Sequence, residues 1–218
     1  MRAMILAAGR GERLRPLTDT IPKPLIEVGG KPLIVHHLER LAAAGFADVV
    51  INLGWLGEKM RESLGDGSRF GLKIHYSPEP PGALETAGGI VHALPLLGKS
   101  PFAVISGDIF CDYPLERLAE LPLASRGHLV MVDNPAHHPE GDFGLEKHRL
   151  SLTARPRLTY SGIAIFSPEL FRPLEPGVRP LRPILESGIQ KKLISGEYFR
   201  GYWSDVGTPE RLREVNHR

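Results

Sequence analysis

A single cysteine, Cys111, is all the thiol the chain carries, so no intramolecular disulfide can form. No apolar run approaches the length needed to cross a bilayer. The opening MRAMILAAG lacks both the hydrophobic stretch and the small-residue cleavage site of a secretory signal. These absences predict a reducing, cytoplasmic setting and argue against a membrane role. A charge excess is missing too. Twenty-seven Lys and Arg face 25 Asp and Glu, for a net charge of +2, so a nucleic-acid coat is not expected and the basic residues matter by position. There is no internal repeat, coiled coil, low-complexity tail or linker-like stretch. A length of 218 residues suits one continuous α/β core and is short for two typical full domains, so residues 1–218 read as a single domain. Composition is silent on oligomeric state and compatible with a monomer.

What is present is concentrated near the start, in ILAAGRGERLRPLT at residues 5–18. A strand over Met4 to Ala8 runs into Gly9 and Gly11, whose missing β-carbons let backbone N–H groups approach a ligand. Arg10, Arg13 and Arg15 follow, and guanidinium groups beside backbone donors suit phosphate oxygens. The stretch reads as a phosphate cradle. A dinucleotide fingerprint needs a third glycine where Leu14 stands, and Pro16 interrupts a helix there. A Walker loop needs Lys and Ser or Thr where Glu12 and Arg13 follow Gly11. An ordinary βα loop with scattered arginines is the plain alternative.

Downstream, IPKPLIEVGGKP at 21–32 predicts an extended connection, with Lys23 presented between two prolines from a rigid segment. Pro32, the apolar spacing Leu33, Ile34, His37, Leu38, Leu41, and Gly45 mark a helix and its stop. DVVINL at 48–53 and LKIHYS at 72–77 predict strands flanking a helix over Leu56 to Leu64. This βαβαβ order implies a mostly parallel sheet with ligands at the carboxyl ends of its strands. PEPPGALETAGGI at 78–90 predicts a loop entering a helix through Thr86 that ends near Pro95. Gly88 and Gly89 in its first turns suggest either ligand approach or close helix packing. PFAVISGD at 101–108 is a buried-looking strand ending in Asp108.

The second half is less regular. HLVMVD at 128–133 and TYSGIAIF at 159–166 predict strands around a loop at 134–145, and SPELF a single turn capped by Ser167. Residues 180–196 predict a helix, EYFRGYWSDVGT a strand ending in Asp205, and TPERLREVN a helix capped by Thr208. Asp108 and Asp205 each end a predicted strand beside a glycine, so one sheet edge would bring them together. Two carboxylates plus phosphate oxygens and waters suit Mg²⁺. With the arginine loop and Lys23 they outline a nucleoside triphosphate site whose charges favour phosphoryl transfer without a protein nucleophile. The pairs His36/His37 and His137/His138 lack a third ligand at helical spacing. Cys111 has no positioned base and reads as a buried spectator.

LAAGRGERLRPLT, PKPL at 22–25, LETAGGI at 84–90, SGD at 106–108 and WSDVGT at 203–208, in that order, make the chain resemble the sugar-1-phosphate nucleotidyltransferase family. The resemblance implies a Rossmann-like three-layer α/β/α fold with a mostly parallel mixed sheet over essentially the whole chain. It implies Arg13 and Lys23 as catalytic cations and Asp108 and Asp205 as ligands of a Mg²⁺ cofactor. Ala7, Ala8, Gly9, Gly11, Glu12, Asn52, Glu85 and Gly88 would surround the nucleotide, although relatives often have Gly where Glu85 stands. NLGWLG, VDNPAHHPEGDF at 132–143 and the short length are most similar to the branch that joins UTP to N-acetylmuramate 1-phosphate in cell-wall recycling. Small-molecule substrates are then the expected partners, with no nucleic acid or membrane. Ser106, Asp142, Gly144 and Gly162 would lie near the sugar, and a cation among His137, His138 or Lys147 would meet its lactyl carboxylate. Glucose, N-acetylglucosamine or mannose 1-phosphate, or another nucleotide, is the nearest alternative. A non-catalytic nucleotide sensor is the alternative of another class.

Overall fold

The computed structural model describes residues 1–82, 84–121 and 125–218. Ala83, inside the loop expected at 78–90, lies outside the described residues. The first half runs β1 (Arg2–Leu6), α1 (Leu17–Thr20), β2 (Glu27–Val28), β3 (Lys31–Pro32), α2 (Leu33–Ala43), β4 (Asp48–Leu53), α3 (Gly57–Leu64), β5 (Lys73–Pro78), α4 (Glu85–Leu97) and β6 (Phe102–Ser106). The second half runs β7 (Ile109–Cys111), α5 (Glu116–Glu120), β8 (Gly127–Val132), β9 (Phe143–Glu146), β10 (Arg149–Ser151), β11 (Arg157–Phe166), α6 (Leu181–Gln190), β12 (Ile194–Tyr198), β13 (Trp203–Asp205) and α7 (Pro209–Asn216).

Among the described residues, nine strands form one sheet in the order β5-β4-β1-β6-β11-β8-β12-β10-β9. β5, β4, β1 and β6 are parallel, as the βαβαβ alternation demands. β11 is antiparallel to β6, β8 and β9, β10 is antiparallel to β9 and β12, and β8 and β12 are parallel. The sheet is therefore mixed, with its antiparallel pairings gathered in the second half. Period-two alternation divides the core. Ala3, Ile5, Val49, Ile51, Ala103 and Ile105 face α2 and α3, whereas Met4, Val50, Phe102, Val104 and Phe166 face α4 and α6. This gives the three-layer α/β/α arrangement.

Several boundaries differ from the sequence reading. β1 stops at Leu6 because Ala7 turns its N–H to a side chain. The stretch at 21–32 is a 3₁₀ turn over Lys23–Leu25 followed by the β2–β3 ribbon, with Gly29 and Gly30 at positive φ. Exposed Pro95 sits inside the last turn of α4, where its missing N–H costs one bond and the helix runs on to Leu97. The helix expected over 180–196 ends at Gln190. Lys192 adopts a φ of 58°, and the β-branched Ile194 starts β12, so one apolar stripe served a helix and then a strand. The strand expected through Asp205 is likewise two, β12 in the main sheet and β13 outside it. β9 begins within the loop expected at 134–145, and β10 and α5 carry too few residues to announce themselves.

His37 lies on the buried face of α2, only 3 % exposed. Burial, then the charges of Arg40 and His36, pull its imidazole from 6.5 down to about 4, against the opposing pull of Asp108 and the Ile109 backbone. The ring is neutral in the folded chain, and the unfolded chain binds the extra proton between those two values. Stability therefore rises with pH across that window and is lost as pH falls through it, by about 3 kcal/mol at full extent. Urea unfolding near pH 7 and near pH 4.5 should show this loss in the natural chain. It should be smaller by about 2 to 3 kcal/mol in His37→Leu, and an identical pH dependence in both would mean that the folded chain protonates the ring.

Candidate active site

The loop after β1 is built from below by the end of β4. Asn52, 4 % exposed, accepts the Ala7 N–H on Oδ1 at 2.7 Å and donates from Nδ2 to Glu79 Oε1 at 2.7 Å. Gly54 packs so tightly under Ala8 that a β-carbon there would collide with the Ala8 carbonyl. Gly9 has open space around it, whereas Gly11, at φ +70°, lies 3.0 Å from Lys23 Cβ and Thr18 Cγ2 measured from where its own β-carbon would be. Glu12 starts a 3₁₀ turn that ends on the buried anchor Leu14. The three arginines then part company. Arg10 and Arg15 pair with Asp19 at 3.9 Å and 2.8 Å, and Arg10 also lies over the Trp55 ring. Arg13 reaches the other way, its Nη2 standing 3.1 Å from the β-carbon position of Gly207.

Lys23 enters from beneath the loop. Its side chain is 11 % exposed, and Nζ donates to Asp108 Oδ2 at 2.6 Å. Asp108 follows Gly107, whose N–H donates to Leu6 at 2.9 Å and whose own close approach to Leu6 leaves no room for a side chain. The expectation that one sheet edge joins Asp108 and Asp205 needs correction. They meet through a separate two-stranded ribbon, in which β13 pairs antiparallel with β7, Asp205 opposite Ile109, and Val206 N–H donates to the Asp108 carbonyl at 2.7 Å. Asp205 Oδ2 lies 2.8 Å from Arg211 Nη2, and Oδ1 lies 3.2 Å from His137 Nε2 yet makes no hydrogen bond. Arg211 was not singled out in the sequence because its position in α7 reads as an ordinary helical arginine.

Beside this cluster a cavity of about 490 Å³ opens between the carboxyl ends of β1 and β6 and the start of α6, lined by Leu6, Glu85, Thr86, Ser106, Asp142 and Arg182 among others. Asp142 Oδ2 accepts the Tyr160 N–H at 2.9 Å, leaving Oδ1 between Arg182 at 3.2 Å and His138 at 3.4 Å. Burial, then the Asp142 charge, push the Tyr160 phenol well above its usual range, so it stays neutral. The segment before α6 also caps α4. Arg179 accepts the N–H groups of Ala87 and Gly88 at 3.0 Å and 3.1 Å and donates to Leu84 at 2.9 Å. A second depression of about 380 Å³ lies at the other end of β6, beside Pro101, and gathers none of these residues.

The family model described as Nucleotidyl transferase matches residues 2–218. The chain belongs to that family. It is 50% identical, over 99% of its own length and 96% of the relative's, to a protein of Neisseria meningitidis named N-acetylmuramate alpha-1-phosphate uridylyltransferase. A mannose-1-phosphate guanyltransferase of Kluyveromyces lactis is 36% identical over 96% of this chain, which spans 62% of that relative. Among solved structures, a UDP-glucose pyrophosphorylase complexed with UDP-glucose shares the fold at a TM-score of 0.81, with 21% identity over 99% of this chain and 97% of that one.

Several expected ligand contacts of this nucleotidyl transferase are instead taken up by its own framework. Gly88 has no free N–H, and a β-carbon on it would collide with the Gly177 carbonyl, so its smallness serves helix packing. Gly89 likewise admits Glu79 and Asn52. The Ala7 N–H is held by Asn52 Oδ1, and Asn52 Nδ2 by Glu79, so this amide braces the loop from within. Gly144 lies on β9 against the backbone of Ala154, away from the cavity wall. Gly162, at φ +82°, lets the bulge of β11 close over the Ser106 hydroxyl and acts on the cavity through Ser106. Glu85 does line the cavity. Its φ of +57° is one that a glycine adopts without cost and that strains a glutamate. Burial pushes the Cys111 thiol up to about 11, in keeping with a spectator. Thr86, Tyr160 and Arg182 reach the cavity from three elements; Thr86 lies in the LETAGGI segment, whereas no local motif marks Tyr160 or Arg182.

Proposed function

We propose that the chain joins UTP to N-acetylmuramate 1-phosphate, releasing pyrophosphate and UDP-N-acetylmuramate. The carrying observation is a loop with open Gly9, an outward Arg13 and the Lys23–Asp108 pair, next to a cavity of about 490 Å³ that suits a sugar. The near full-length likeness to a uridylyltransferase of that name supplies the sugar and the base. The sugar phosphate is ionised at neutral pH, so it attacks the α-phosphorus in line and needs no general base. In this reading Arg13 and Lys23 neutralise charge on the phosphates and on departing pyrophosphate, and the Gly9 and Gly11 backbone shapes the cradle. Glu12 and Ala8 border the nucleotide, the Ser106 hydroxyl exchanges hydrogen bonds with sugar hydroxyls, and Asp142 accepts from them.

The residues fit a divalent cation. Asp205 Oδ1 is buried without a hydrogen bond, and Asp108 keeps one oxygen outside its pair with Lys23. Mg²⁺ takes few protein ligands and keeps much of its water, so two carboxylates meet its needs. Asp108 and Asp205 would hold it, and when bound it lends charge stabilisation to the phosphates. No helix among the described residues is long and apolar enough to cross a membrane. The proposed setting is the cytoplasm, where UTP is available.

Pyrophosphate release measured over a panel of sugar 1-phosphates and nucleoside triphosphates tests the reading. The expected outcome is a kcat/KM for N-acetylmuramate 1-phosphate with UTP at least about tenfold above any other pair. Preference for glucose, N-acetylglucosamine or mannose 1-phosphate would overturn the sugar, and absence of turnover with every pair would favour a sensor.

A further inference from the structure

We infer that Arg182 is the specificity-determining residue that binds the carboxylate of the sugar's lactyl group, an inference that rests on the proposed substrate. N-acetylmuramate 1-phosphate differs from N-acetylglucosamine 1-phosphate only by that lactyl ether, so discrimination between them requires a group that rewards the added anion. The cavity itself is lined by two carboxylates, Glu85 and Asp142, which repel one. Arg182 is the only cation lining it among the described residues.

The cations expected for this task lie elsewhere. His137 faces Asp205, His138 stands 3.4 Å from Asp142 Oδ1, and Lys147 occupies the turn between β9 and β10 at φ +59°. None of the three lines the cavity.

The geometry of Arg182 suits an incoming carboxylate. It sits in the first turn of α6, with Nε donating to Glu186 Oε1 at 2.9 Å and Nη1 to Asp142 Oδ1 at 3.2 Å, and its guanidinium carbon lies 5.7 Å from the Phe143 ring centroid. These contacts aim the fork across the cavity wall. A guanidinium has five N–H donors, so Nη2 and the second Nη1 hydrogen stay available for a bidentate carboxylate. Its side chain is 53 % exposed, so the existing pairs are solvent-screened and exchange readily for a ligand.

Steady-state kinetics of Arg182→Ala and Arg182→Lys on both sugar phosphates, with UTP, decide the matter. N-acetylglucosamine 1-phosphate serves as a slow substrate or, where its turnover is immeasurable, as a competitive inhibitor. In Arg182→Ala, KM for N-acetylmuramate 1-phosphate should rise at least about tenfold with kcat within about twofold, while the constant for N-acetylglucosamine 1-phosphate moves less than about threefold. Lysine should recover part of the loss. Equal losses on both sugars would overturn the inference and make Arg182 a prop for Asp142, and unchanged constants on both would also overturn it. A natural chain inactive on N-acetylmuramate 1-phosphate yet active on N-acetylglucosamine 1-phosphate would overturn the proposed function, and this inference with it.

Discussion

Asp108→Ala should lower turnover about a thousandfold while the chain stays folded, the size expected when a group that organises charge at a transferring phosphoryl is removed. The Asp108 backbone is anchored by the tight Gly107 turn onto Leu6 and by Val206 across the ribbon, and its carboxylate by Lys23. Its side chain is 36 % exposed, so losing it costs at most about 2 kcal/mol of stability, chiefly through the unpaired Lys23 ammonium. Pyrophosphate release over a range of Mg²⁺ concentrations, alongside a thermal melt, separates the effects. Turnover within about tenfold of the natural chain, with the same Mg²⁺ dependence, would remove Asp108 from the metal assignment.

Asn52→Ala should be the most damaging single change to the nucleotide loop, although Asn52 touches no ligand in this reading. Alanine leaves the Ala7 N–H and the Glu79 carboxylate without their buried partner, and each orphaned group costs about 1 to 3 kcal/mol. The loop loses the strut that fixes where Gly9 begins, so KM for UTP should rise about tenfold or more while KM for the sugar phosphate moves little. Asn52→Asp keeps the acceptor for Ala7 but sets a second negative charge against Glu79, and should fall between the two. Urea unfolding and the two KM values report this pattern. A variant as stable as the natural chain that accepts other bases would return Asn52 to reading the base.

The βαβαβ half was legible because its strands are β-branched runs and its helices end on glycines, signals that need no tertiary context. Lys23 and Arg13 were legible for a related reason. Each lies in a short segment whose glycines and prolines already fix the backbone, so their chemistry could be argued locally. Asp108 and Asp205 were foreseen as neighbours, but the β7–β13 ribbon that joins them has only three pairs, too short for periodicity to reveal. Glycines were the least legible residues. Gly9 and Gly88 look alike in sequence, yet one faces open space and the other faces the Gly177 carbonyl. Only the packed structure separates smallness that leaves a loop open from smallness that a neighbour requires. Arg182 was hidden in the same way, since a helical arginine becomes distinctive only when its turn opens onto a cavity.

The backbone clasp between Arg179 and the start of α4 bears on how such a protein diversifies. Leu84, Ala87 and Gly88 are tied to one residue of the opposite wall, so the segment carrying Glu85 and Thr86 and the one carrying Arg182 move as one piece. Breathing between these walls is therefore not a cheap route to a bulkier sugar substituent. Laboratory evolution toward such sugars would be expected to trim side chains such as Leu181 and Leu185, leaving the loop lengths around residues 84 and 179 as they are.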